Sequence, residues 1–344
     1  MKVAVLTGIE ALQLEERPVP KAHGHDVLIR VSCTGICGTD LGAFRSLSLP
    51  VGTIMGHEFA GWVEETGDEV RNCKKGDRVV VRPCSVCFEC PWCREGRISL
   101  CPHHLDDTVG LKNVDGAYAE FTLVHDFQVF QMDDSMTMEQ AAQLEPLAVA
   151  VHAVEESAVK EGDRVLLVGA GSIGLLILQC LKLKNPQEIV VLEKSMFRQQ
   201  KAAELGADSV VDSGEVLNEV RSRYPRNGFD VVIETAGKAA TIRQSLSLAA
   251  KGGQITLVGL CTEPVELDLF HVVASGVHIS NSMGYFVEHW DTAMELVSSK
   301  LVNLDGLVTA RYPLERIEEG FRALMNPEKN LKIMIQVHEE KRRG

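Results

Sequence analysis

The 344-residue chain has no long basic block, no apolar run approaching a membrane span, no low-complexity tract and no internal repeat of fixed period. Lys and Arg number 35 against 48 Asp and Glu, a net charge of −13. The one basic run, Lys341-Arg342-Arg343, reads as a solvated tail, so the basic footprint of a nucleic-acid partner is missing. The longest apolar stretches, such as residues 175–178, fall far short of the roughly 20 residues that cross a bilayer. The opening MKVAVLTGIEALQLEERPVP lacks the apolar h-region of a secretory signal and reads as strand, turn and strand. No membrane partner and a cytoplasmic location are expected. In a reducing compartment, ten cysteines point to metal ligands or core thiols rather than disulfides.

Two kinds of sequence follow one another. Residues 1–148 carry short strand-like runs (27–31, 59–64, 78–81, 119–124) broken by Gly, Pro and Asp, which predicts an all-β, barrel-like domain. From about residue 162 the pattern becomes apolar strand, glycine turn and long amphipathic helix, repeated. The predicted strands are 164–168, 189–192, 209–211, 230–233 and 254–258, with helices such as 175–183 and 197–205 between them. That alternation is the mark of an α/β domain with a parallel sheet and crossover helices. Residues 149–285 form this second domain. Residues 286–344 return to helix and strand and are expected to pack back on the first.

The stretch DRVLLVGAGSIGLLILQCLKL contains Gly169-x-Gly171-x-x-Gly174 between a predicted strand and a predicted helix, and Glu193 ends the next strand. Each part has a physical task. Gly169 makes the tight turn, and Gly171 lets backbone approach a pyrophosphate. Gly174 lets helix and strand pack closely, and the helix N-terminus at Ser172 and Ile173 faces the phosphates. A flavodoxin-like domain whose glycines merely close turns is the alternative. Glu193 accepting from ribose hydroxyls favours NAD over NADP, a preference that Lys194 and Arg198 soften.

Five of the cysteines fall in CSVCFECPWCREGRISLC, residues 84–101. A zinc ribbon needs a second C-x2-C pair some fifteen to twenty residues on, and the next cysteine is Cys180. An iron–sulfur run of ferredoxin type would place its fourth ligand where Arg94 stands. Free thiols so close together would invite oxidation. A closed tetrahedral zinc is the best reading, but Cys84-Cys87-Cys90 and Cys87-Cys90-Cys93 share one spacing, so spacing leaves open which four of the five bind. Cys33, Cys73, Cys180 and Cys261 read as core or surface thiols.

Elsewhere Cys37, the pair His57-Glu58, and Glu145 at a predicted helix start are competent zinc ligands, although spacing alone does not unite residues so scattered. Here GICGTD, GHEFAGWVEETG, the cysteine lobe, EPLAVAVHA, VLLVGAGSIG, DVVIETAG, KGGQITLVG, SMGYF and YPLERIEEGF, in this order, resemble the zinc-dependent medium-chain dehydrogenase/reductase family. The polyol and diol branch, with sorbitol, butanediol and threonine dehydrogenases, is the nearest likeness. The resemblance implies a GroES-like β-barrel catalytic domain followed by a doubly wound Rossmann domain. It implies two zinc ions per chain. Cys37, His57 and Glu58 would hold the catalytic one, with Glu145 as alternate ligand or holder of the bound water, and Cys87, Cys90, Cys93 and Cys101 would hold the structural one. Asp40 would orient His57, and Thr39 would take the substrate proton, so Thr39, Glu58 and Glu145 are the candidate catalytic residues. Val258 and Gly259 would join Gly169, Gly171, Ser172, Ile173, Gly174 and Glu193 around NAD. The implied reaction is hydride transfer from a secondary alcohol or small vicinal diol to NAD, yielding a ketone, with zinc acidifying the alcohol.

Two departures bear on detail. Relatives carry a relay histidine where this chain has Gly42, so a water-mediated proton path from Thr39 is expected. Sorbitol dehydrogenases carry a polyol-binding arginine where this chain has Gly284, beside Tyr285, which leans the substrate toward a smaller diol. A polyol, sugar-acid or L-threonine dehydrogenase is the rival within the class. A non-catalytic dehydrogenase-fold binding protein is the rival outside it, opposed by the intact set Cys37, Thr39, His57, Glu58 and Glu145. Strand 254–258 and SGVHISNSMGY lie where relatives pair Rossmann domains, so a homodimer or homotetramer is expected.

Overall fold

The computed structural model describes residues 1–111, 113–212 and 228–339; the basic triplet 341–343 lies outside them. The chain divides into two compact units. The first comprises Met1–Glu145 and Phe286–Asn326 and resumes at Asn330; the second is Pro146–Tyr285 with Pro327–Lys329.

In the first unit β1 (Lys2–Gly8) and β2 (Ala11–Glu16) form an antiparallel hairpin. The main sheet grows around β3 (Asp26–Gly35), ten residues of which nearly all are buried. Burial of successive residues marks a strand covered on both faces. It pairs antiparallel with β4 (Glu58–Thr66), which carries β5 (Arg78–Val81) on its other edge. β6 (Phe121–His125) pairs with the first half of β3, and β7 (Val129–Gln131) with β5. Ile29, Val31, Phe59, Val63, Val79, Val81 and Val124 fill one core of this sheet.

The second unit is built from β8 (Arg164–Val168), β9 (Glu188–Leu192), β10 (Ser209–Val211), β11 (Phe229–Glu234), β12 (Ala249–Leu257) and β13 (His278–Asn281). All are parallel, in the order β10-β9-β8-β11-β12-β13. Counted from β8 this is 3-2-1-4-5-6, the order of a dinucleotide-binding doubly wound sheet, with its switch point between β8 and β11. The helices Ser172–Lys182, Met196–Glu204 and Ala239–Leu248 supply crossovers. The expected parallel α/β sheet is therefore the observed one.

The last segment adds β14 (Val308–Pro313) and β15 (Lys332–Gln336) to the first unit's sheet, β15 lying antiparallel to the end of β3. The helix Ile317–Leu324 buries Ile317, Phe321 and Leu324 there, in a second core with Phe44 and Tyr118. No helix among the described residues is long and apolar enough to cross a membrane.

Candidate active site

Cys37 follows β3 by two residues and caps the helix Gly38–Ser46. Its Sγ accepts the Thr39 N–H at 3.5 Å, and the Asp40 carboxylate accepts the Cys37 N–H at 3.1 Å. Glu58 opens β4 opposite Gly35 of β3, so strand register carries His57 and Glu58 to Cys37. The ligand atoms of these three residues lie within 4.8 Å of one another, with His57 and Glu58 buried.

Asp40 is fully buried beside them. Its Oδ2 accepts the Tyr118 hydroxyl at 2.7 Å, and its Oδ1 stands 3.5 Å from His57 Nδ1. Burial pushes the Asp40 carboxyl up, but His57, Tyr118 and the Cys37 N–H together hold it below the usual carboxylate range. Burial likewise opposes charge on His57, yet Asp40 and Cys37 raise its imidazole well above 6.5. The pocket therefore stabilises positive charge at His57, and a cysteine sulfur, an imidazole and a carboxylate around one point form a donor set suited to zinc.

Lys332, on β15, reaches the same place. Its ammonium donates to Glu58 Oε2 and, at 3.4 Å, to the Ile36 carbonyl, and both charged side chains are buried. Glu145 lies in the first turn of the helix Leu144–Glu156, outside the converging trio. Burial lifts its carboxyl to about 7; His57 and Lys332 oppose the rise, while Glu58 and Asp40 add to it. Thr39 is exposed on the helix capped by Cys37. A side chain at Gly42 would meet no atom within 4 Å, so packing does not require glycine there.

In the cysteine lobe Cys87, Cys90, Cys93 and Cys101 bring their sulfurs within 4.8 Å of one another. Cys84 is buried outside this group, its carbonyl accepting from Gln128 Nε2. Backbone N–H groups aim at the sulfurs: Cys90 N–H at Cys87, Cys93 N–H at Cys90 and His103 N–H at Cys101, each at 3.4 Å. N–H donors from Cys90 and Glu89 draw the Cys87 thiol down to about 6. Four such sulfurs fit a closed zinc site, with no position left for substrate. The Gly96 carbonyl accepts the Val287 N–H at 3.0 Å, tying the lobe to the returning C-terminal segment.

In the second unit the candidate cofactor residues gather at the carboxyl ends of the parallel strands. Gly169 turns out of β8 at φ +99°, in the left-handed region that favours glycine. A Cβ on Gly174 would overlap the Gly169 carbonyl, whereas one on Gly171 would meet only the Arg198 guanidinium, at 4.0 Å. Ser172 and Ile173 open the helix Ser172–Lys182. Glu193, just past β9, accepts the Ala170 N–H at 2.8 Å and the Lys194 and Ser195 N–H groups at 2.8 and 2.9 Å. The Val258 and Gly259 N–H groups donate to the Glu234 carbonyl, and the buried Glu234 carboxylate accepts from Ala236, Gly237 and Thr241. Tyr285 is fully buried, and Gly284 has φ +61°.

Sequence reasoning missed Lys332 and Tyr118. A lysine within an apolar strand, KIMIQ, was the one available signal for the first; nothing in GAYAEF singles out the second.

Comparison with known proteins gives the family. Residues 23–134 match the alcohol dehydrogenase GroES-like domain and residues 172–299 the zinc-binding dehydrogenase domain. Sorbitol dehydrogenase of Bacillus subtilis is 31% identical, with 97% of each chain covered. D-arabitol-phosphate dehydrogenase of Enterococcus avium is 33% identical, over 97% of this chain and 96% of that one. The crystal structure of 2R,3R-butanediol dehydrogenase from B. subtilis superposes with TM-score 0.89 at 31% identity, covering 98% of this chain and 99% of that one. The fold and site define an oxidoreductase with a GroES-like and a Rossmann-type domain. The chain belongs to the zinc-dependent medium-chain dehydrogenase family, an alcohol dehydrogenase-type enzyme class that uses zinc and a nicotinamide dinucleotide.

Proposed function

We propose that this enzyme transfers hydride between NAD and a secondary alcohol or small vicinal diol, with Cys37, His57 and Glu58 holding the catalytic zinc. The observation that carries the reading is the convergence of those three donors in a buried pocket that favours positive charge. When bound, zinc lowers the pKa of an alcohol hydroxyl and NAD accepts hydride. The protein's own residues do the rest. Asp40 faces His57 Nδ1 and leaves Nε2 for the metal, and Tyr118 with the Cys37 N–H fixes Asp40. Lys332 balances the Glu58 carboxylate. Glu145, with its carboxyl near 7, is the alternate ligand, and Thr39 takes the substrate proton, passing it on through water in the absence of a side chain at position 42. Cys87, Cys90, Cys93 and Cys101 hold a structural zinc, and Gly169, Gly171, Ser172, Ile173, Gly174, Glu193, Val258 and Gly259 surround NAD.

The positive φ of Gly284 disfavours an arginine there, which supports a diol over a longer polyol; polyols and sugar acids are the second reading, favoured by the sorbitol and arabitol-phosphate relatives. A homodimer or homotetramer fits β13, which pairs only with β12 among the described residues, and the neighbouring exposed Leu269, Phe270 and Val273. A cytoplasmic location suits the reduced cysteines. The test is a spectrophotometric screen of diols, polyols, sugar acids and threonine with NAD and with NADP, alongside zinc analysis. Polyols clearly outrunning butanediol would overturn the reading of Gly284. One zinc per chain and no alcohol-dependent NAD reduction would leave a binding protein instead.

A further inference from the structure

A second cluster of metal-competent side chains lies away from both cysteine sites, at the end of the β3–β6 ladder. His125 closes β6 opposite Asp26, the first residue of β3. One step further out, the Asp126 N–H donates to the His25 carbonyl at 2.9 Å. Sheet pairing thus fixes the backbone of His25, His125 and Asp126 together, and Asn72 Nδ2 holds the Asp126 carbonyl at 2.8 Å. The two imidazoles stack with centroids 5.2 Å apart and planes 12° from parallel.

Both Nδ1 atoms point at one carboxylate. His25 Nδ1 lies 2.9 Å from Asp126 Oδ2, and His125 Nδ1 lies 2.7 Å from Asp126 Oδ1. Glu69 Oε2 sits 3.1 Å from His25 Nε2, so the ring lies between two carboxylates, and a proton kept on Nε2 by Glu69 would free Nδ1 to bind a metal in place of its 2.9 Å hydrogen bond to Asp126. The Phe127 N–H lies 3.5 Å from His125 Nδ1, a long contact that a metal on that nitrogen would replace. With the Nδ1 protons given up, two imidazole lone pairs and the Asp126 carboxylate would converge on one point. Protonating both rings instead would stack imidazolium on imidazolium. A divalent ion satisfies all three at once. Glu69 behind His25 completes the carboxylate–histidine–metal arrangement that orients metal-binding imidazoles. The nearby Arg71 has its guanidinium engaged by the Asp68 and Val70 carbonyls.

We propose that His25, His125 and Asp126 form a surface site for a divalent transition ion, with Glu69 as its positioning residue. Two imidazoles and one carboxylate select ions of the zinc, nickel and copper group over magnesium or calcium. The site is independent of the dehydrogenase reading, because none of its residues belongs to the zinc pocket, the cysteine lobe or the cofactor loops.

The test is equilibrium dialysis of the full-length, zinc-loaded protein against Ni2+, with metal analysis, for wild type and for the double variant His25→Ala/His125→Ala. Wild type is expected to take up one Ni2+ per chain more than the double variant, with alcohol oxidation unchanged between them. The difference is what counts, so the occupancy of other metal sites does not affect the outcome. Glu69→Gln, which keeps every ligand, is expected to retain the stoichiometry and to weaken affinity about tenfold. The single variants His25→Gln and His125→Gln repeat the comparison should the double variant fold poorly. Equal uptake by wild type and the histidine variants overturns the proposal; a Glu69→Gln variant binding as tightly as wild type removes Glu69 from it.

Discussion

Replacing Lys332 by methionine removes the cation from a buried ion pair while nearly keeping its volume. Its ammonium lies against Glu58 Oε2 and the Ile36 carbonyl, and side-chain exposures are 3% and 2% for Lys332 and Glu58. Such a carboxylate has no water to take over from the lysine, so breaking the pair should cost about 3–5 kcal/mol. Lys332 has its pKa raised, burial lowering it less than Glu58 and Cys37 raise it. A raised lysine contributes stability that is present below about 10.5 and lost only as pH climbs through the higher folded value. The deficit of Lys332→Met should therefore be flat between pH 6 and 9. Zinc bound at Cys37, His57 and Glu58 would give the stranded carboxylate another cation, so the deficit should be smaller in zinc-loaded than in chelated protein. Adding Glu58→Gln to Lys332→Met should recover much of the loss in chelated protein, because both charges are then gone. The assay is denaturant unfolding of the variants in both metal states. A deficit below about 1 kcal/mol in chelated protein, where a stranded buried charge should cost several, would refute the view of Glu58 as a buried anion dependent on Lys332; a deficit indifferent to zinc would refute its place at the metal.

Tyr118→Phe keeps the ring that packs edge-on against Phe321, centroids 5.6 Å apart, but frees one side of Asp40. Zinc affinity at the Cys37 site, read by chelator competition, should fall roughly tenfold while the four-cysteine site is unaffected; equal affinity would make Tyr118 a packing residue only. In zinc-free protein Glu145, lifted to about 7 chiefly by burial, binds its proton more tightly folded than unfolded. Its contribution is present below about pH 4.5 and lost as pH rises through 7, up to about 3 kcal/mol. Glu145→Gln should remove that slope from the pH dependence of unfolding midpoints, and an unchanged slope would refute the assignment. Gly174→Ala drives a Cβ into the Gly169 carbonyl and should weaken NADH binding, followed by fluorescence, at least tenfold, about 1.4 kcal/mol; unaltered binding would show that the turn tolerates it.

What could be read from sequence is what repeats or sits close along the chain. The apolar runs 164–168 and 189–192 lie within β8 and β9, and a glycine turn between strand and helix carries its own periodicity signal. The same holds for four cysteines inside fifteen residues, whose converging sulfurs need only one loop. The Cys37 pocket is of another kind. Its members meet because Gly35 pairs with Glu58 across two strands, and register between strands 23 positions apart leaves no trace in either segment. Lys332 is more hidden still, since it lies 274 residues from its partner. By composition a lysine reads as solvated, and only a buried carboxylate makes burying it tolerable. Buried charges of this sort follow a rule that one segment cannot display: each is explained by its partner, and the partner is a property of the fold. The one trace such a pocket leaves along the chain is a polar residue inside an apolar strand, and Lys332 in KIMIQ is such a residue.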